Sequence, residues 1–140
     1  MPLVNVRYNP KRFYEVDNLR IACSELVPAA FHCLEGQLSP GSIEFFALPS
    51  ESHDSMHCDV FVAVEAYHYE EREHDLDERT KRLHSLLKEL FTDITFAVWP
   101  KLVTAGWASD VPDLDFDGDM SMGAAFGRAY FLLREIRTTS

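Results

Sequence analysis

The sequence predicts a mixed α/β (α+β) chain in the order β-α-β-β-α-β, followed by a C-terminal helix. Three observations predict it. Four short segments are rich in β-branched and aromatic residues. Two longer segments between them carry apolar residues at helical spacing. A third such segment lies beyond an acidic, turn-rich stretch. At 140 residues the chain suits one domain with a sizeable core.

Leu3 to Tyr8 reads as the first strand. Pro2 precedes it, which a sheet accepts at a strand's first residue. Leu19, Ala22, Cys23, Leu26, Val27, Ala30, Phe31 and Leu34 form a helical stripe, with Asp17 as N-cap and Gly36 just past its end. Pro28 lies inside the stripe and should kink it. After the turn "LSPGS", Ile43 to Leu48 is a second strand. The polar loop "PSESHDSMH" leads to a third, Cys58 to Tyr69. "EEREHDLDE" reads as a charged loop or helix approach, a solvated run in which Arg72 is one more surface charge. Thr80, Leu83, Leu86, Leu87, Leu90 and Phe91 mark a second helix, and Ile94 to Trp99 a fourth strand. Residues 2–110 form the main unit. Residues 111–140 add an acidic linker and a helix whose stripe is Met122, Ala125, Phe126, Ala129, Leu132, Leu133 and Ile136. That stripe needs cover, from the sheet or from a neighbouring subunit.

Lys and Arg number 13 against 23 Asp and Glu, a net charge of −10. Such a surface repels phosphate, so nucleic acid and anionic membranes are excluded as partners. No apolar run approaches the roughly 20 residues of a membrane span. The N-terminus lacks the pattern of a signal peptide, so a cytoplasmic chain is expected. Cys23, Cys33 and Cys58 read as reduced thiols. No cofactor or metal is expected. "DLDFDGD" begins like a calcium loop, with Asp113, Asp115, Asp117 and Gly118, but its closing position holds Ala124. His53, His57 and Cys58 lack a fourth zinc ligand.

Pro2 has a chemical reading as well. With Met1 removed it presents a secondary amine at the start of a strand. Such an amine acts as a base at neutral pH only where apolar burial or nearby positive charge disfavours its cation.

Two architectures share the element order. One is a ferredoxin-like sandwich, which would make the chain a dimeric binding domain. The other is the tautomerase superfamily, which includes macrophage migration inhibitory factor. Pro2, the strand "PLVNVRY", the helix "ERTKRLHSLLKELF" and "ITFAVWPKLVTAGW", with Gly106 and Trp107 near its end, resemble that family over Pro2 to Asp110. The chain is similar above all to an uncharacterised bacterial branch. The resemblance implies a subunit of two β-α-β halves, a homotrimer, and a tautomerase or isomerase acting on a small keto/enol carboxylate. Pro2 would be the base and Arg12 the carboxylate anchor, with Lys101 as a possible second cation. The chain also departs from the family. Glu44 stands where a second arginine is expected, and Ile94 and Phe96 replace a tyrosine and an asparagine. Phe96 would help keep Pro2 dry, and Glu44 would be a second acid/base group or an edge carboxylate. Glu65 reads as a solvent-facing or subunit-pairing residue. Arg7 points away from the face of Pro2. The dehalogenase branch of the family uses arginines just after the third strand, so the resemblance gives Arg72 a functional reading beside that of a charge in a solvated run. These departures carry the alternative of a trimeric scaffold with a lapsed site.

Overall fold

A computed structural model of the chain describes residues 1–104, 110 and 116–139. Its elements are β1 (Leu3–Tyr8), α1 (Val16–Phe31), β2 (Glu44–Pro49), β3 (Val60–Tyr67), α2 (Glu70–His74), α3 (Leu76–Leu90), β4 (Phe96–Val103) and α4 (Met122–Thr139). The predicted order holds, with α2 as an extra short helix inside the charged run. No described helix is long and apolar enough to cross a membrane.

The sheet order is β2-β1-β3-β4. β1 pairs parallel with β2, β3 pairs parallel with β4, and β1 and β3 run antiparallel. Each β-α-β half therefore joins its own two strands directly. A split β-α-β unit would place another strand between them, so the ferredoxin-like alternative is ruled out. β4 runs on through Pro100 and Lys101 to Val103, past the predicted end at Trp99. It is an edge strand, where one side of the backbone has no ladder partner and proline is tolerated.

Alternation divides the sheet into two faces. Val4, Val6, Val60, Val62, Val64 and Ala66 are buried under the helices. The other face carries Asn5, Phe46, Leu48, Ala63 and Trp99; Phe46, Leu48 and Trp99 are 54%, 57% and 64% exposed.

α1 is buried on most of its circumference, because α4 covers its outer side. The predicted terminal helix thus packs on α1. Ala125, Ala129 and Leu133, four residues apart, form its buried ridge, while Leu132 and Ile136 stay partly exposed. Arg128 Nε donates to Glu25 Oε2 at 2.7 Å, and Arg137 Nε to Glu15 Oε1 at 2.9 Å, tying the two helices at both ends.

Pro28 has a local use. Proline has no N–H, so the carbonyl of Ser24, four residues back, lacks its helical donor. Gly41 N–H fills that place at 2.8 Å, with Gly41 at φ +83°. The missing helical bond thus docks the loop that follows α1.

Candidate functional site

Pro2 sits one residue ahead of β1 and is buried. Its carbonyl accepts the Glu44 N–H at 2.9 Å, which pins it beside the start of β2. A cleft of about 1120 Å³ opens at this end of the sheet. Pro2, Met1, His32, Glu44, Tyr67, Tyr69 and Arg72 line it, with the loop after α1 and the segment 116–120.

Arg72 corrects the sequence reading. It is 2% exposed, not one charge in a solvated run. Its Nε donates to the Phe31 carbonyl, Nη1 to the Tyr67 carbonyl at 2.7 Å, and Nη2 to the Gly36 carbonyl at 2.9 Å. The guanidinium lies over the Tyr69 ring, 4.9 Å from its centroid. Burial pulls its pKa below the ordinary arginine value, yet a guanidinium stays charged. The cause of this placement lies in α1, whose last turn contains no basic residue. A helix end leaves carbonyls without donors. Arg72 and Arg79 supply them from outside: Arg79 Nη1 donates to Ala30 and His32 carbonyls at 2.9 and 2.8 Å. Gly36 leaves room for this packing, since a Cβ there would lie 2.4 Å from the Tyr69 ring and 2.7 Å from Arg72 Nη2.

His32 follows the last residue of α1. Its Nδ1 accepts the Leu38 N–H at 2.9 Å. That bond assigns the neutral ring proton to Nε2, leaving a donor on the cleft wall.

The other predicted site residues lie elsewhere within the chain. Arg12 is at the opposite end of β1. Six strand residues at about 3.3 Å each separate that end from Pro2 by roughly 20 Å. Arg12 Nε contacts Asp59 Oδ1 at 3.4 Å, and its side chain is largely exposed. Asp59 Oδ2 also accepts the Thr95 N–H at 3.1 Å, while Thr95 Oγ1 accepts the Asp59 N–H at 2.8 Å. Hydrogen bonding from Thr95, with the Arg12 charge added, holds the Asp59 carboxyl below its usual range. Phe96 shares this far end. It joins Tyr8, Phe13 and Phe91 in a series of edge-on and tilted ring contacts, so within its own chain it packs in the core at that end. Lys101 lies within β4 on the open face, 3.8 Å from Glu65 Oε1, and is not among the cleft residues. Of the predicted set, the structure brings only Glu44 to Pro2.

Cys23, Cys33 and Cys58 are free. Burial pushes the Cys23 thiol up to about 12 and raises Cys58, which keeps both from acting as thiolates. Among the described residues no group of three His, Cys, Asp or Glu could hold a metal ion. Asp113, Asp115, Gly106 and Trp107 lie outside the described residues.

No family model matches the chain, and no curated protein matches it. Among solved structures it is similar to one described as 5-carboxymethyl-2-hydroxymuconate delta-isomerase. The identity is 16% and the TM-score 0.45, over 86% of this chain and 90% of that chain.

Proposed function

We propose that the protein is an isomerase of small keto/enol carboxylates, with Pro2 as general base once Met1 is removed. One observation carries this reading: Pro2 and a buried arginine share a single cleft. The Pro2 nitrogen takes a proton from the carbon beside a ketone, the C–H electron pair forms a carbon–carbon double bond, and the carbonyl π pair moves to oxygen. The resulting enolate regains the proton on oxygen or on a conjugated carbon. Bonds and charges balance without a redox partner. Arg72 supplies positive potential that opposes protonation of Pro2 and stabilises the enolate. The Nε2–H of His32 is a further donor to developing negative charge, and Glu44 stands at the rim. Arg12, Lys101 and Phe96 have no part in this reading.

The open sheet face supports a homotrimer. Phe46, Leu48 and Trp99 are each more than half exposed there, and three copies packed by these faces would cover them. Molecular mass in solution tests the homotrimer.

The opposing reading is a scaffold with a lapsed site. The engagement of Arg72 with three carbonyls favours it, because those donors are withheld from a substrate. The test is enol–keto exchange of phenylpyruvate by wild type and Pro2→Ala, with intact mass establishing the N-terminal residue. Catalysis by wild type that falls at least about 100-fold in Pro2→Ala supports the base. Equal rates for the two proteins refute it, and no turnover over a panel of keto acids selects the scaffold.

A further inference from the structure

One wall of the Pro2 cleft comes from the C-terminal region. Phe116, Asp117, Gly118, Asp119 and Met120 line it together with the residues of the β1 end. This wall is fastened at several points. Arg128, nearly two turns into α4, donates from Nη1 to the Asp119 carbonyl at 2.8 Å. The same guanidinium lies 5.2 Å from the centroid of the Phe116 ring. From its other side, Nε bonds Glu25 of α1 at 2.7 Å. Phe116 folds back over Gly118, where an added Cβ would meet the ring at 2.3 Å and push it aside. Ser121 closes the connection by capping α4: its Oγ accepts the Ala124 N–H at 3.2 Å, and its own N–H donates to Asp119 Oδ1 at 2.8 Å.

We propose that Arg128 is a positioning residue that holds segment 116–120 against α1 as a wall of the Pro2 cleft, and that this wall limits how large a substrate reaches Pro2. The proposal rests on the catalytic reading for its substrate consequence, but not for its geometry. The described part of the "DLDFDGD" stretch then has a role other than cation binding. Arg128 touches no reacting atom; it acts through Phe116 and the Asp119 carbonyl. Its Glu25 partner is nearly buried, with 14% of the side chain exposed, so the guanidinium is held on a fixed element and not on a loop. A wall built this way contributes to binding and to shielding, and leaves the proton transfer itself to Pro2.

The experiment reads the N-terminal amine directly. Met1 and Pro2 both line the cleft, so the amine reports on the wall whichever residue is terminal. Wild type, Arg128→Met and Phe116→Ala are treated with acetic anhydride, and acetylation of the N-terminal peptide is timed by mass spectrometry. Phe116→Ala leaves the Arg128–Glu25 pair in place and so serves where Arg128→Met folds poorly. Loss of a charge-assisted hydrogen bond should speed acetylation about tenfold or more in Arg128→Met. Phe116→Ala should show a smaller increase, with Lys88 acetylation unchanged in both. In the same variants the KM for phenylpyruvate should rise more than kcat falls, and Arg128→Lys should restore part of the loss. Amine acetylation at the wild-type rate in both folded variants overturns the proposal. If acetylation accelerates but no protein turns over phenylpyruvate, the wall stands and the catalytic reading fails.

Discussion

The two ends of the sheet each place an arginine beside a loop, and they use it in opposite ways. At the far end Arg12, largely in solvent, meets the Asp59 carboxylate, whose side chain is mostly covered. Its charge is matched locally and screened by water. At the Pro2 end Arg72 is buried against neutral carbonyls. Carbonyl dipoles orient a guanidinium without cancelling its charge. The first arrangement closes a loop; the second leaves positive potential at the edge of a cleft. An arginine near an N-terminal proline in sequence is therefore less telling than an arginine whose burial is secured by the backbone.

The largest difference should appear on truncating the two arginines. Arg72→Met strips donors from the Phe31, Tyr67 and Gly36 carbonyls, and should cost about 3 kcal/mol or more in urea unfolding. Any phenylpyruvate turnover should fall with it, even at temperatures where the variant stays folded. A next, smaller effect concerns the far end. Asp59 has a depressed folded pKa, so its contribution is complete above the ordinary carboxylate value of about 4 and is lost as pH falls through the lower folded value. Asp59→Asn should lower stability at pH 7 by roughly 1 kcal/mol and flatten that acid limb, as followed by denaturant melts between pH 2 and pH 6. Arg12→Ala should cost under about 1 kcal/mol, since Arg12 is largely exposed and its contact with Asp59 is long at 3.4 Å, and leave turnover unchanged. Equal losses of activity in Arg12→Ala and Arg72→Met would erase the contrast between the ends. The smallest global effect is expected for Pro28→Ala. A restored N–H would compete with Gly41 for the Ser24 carbonyl. Amide exchange at Gly41 should quicken, while overall stability changes by under about 1 kcal/mol.

Periodicity made the elements legible. β1, α1, α3 and the β-α-β-β-α-β order follow from spacing of apolar residues, because those faces are buried in the same chain. The end of β4 was not legible, since Pro100 reads as a strand terminator unless the strand is known to be an edge. The α4 stripe was too wide: Leu132 and Ile136 match the period but stay exposed, while Ala125, Ala129 and Leu133 are buried and Met122 and Phe126 are partly covered. The site was less legible than the fold. Pro2 and Glu44 are adjacent through strand pairing, which the sequence order implies. Arg12 lies at the far end of its own sheet and Arg72 at the Pro2 end, a placement that local composition does not report. One signal for Arg72 was present. α1 ends without a basic residue, and a buried helix end must find donors elsewhere.

The dependence of kcat/KM on pH for phenylpyruvate enol–keto exchange, measured in wild type and Pro2→Ala, bears most directly on the claim that chemistry resides at the Pro2 end. A wild-type profile that rises with pH through one ionisation, absent from Pro2→Ala, is the expected result. Superimposable profiles for the two proteins would contradict it.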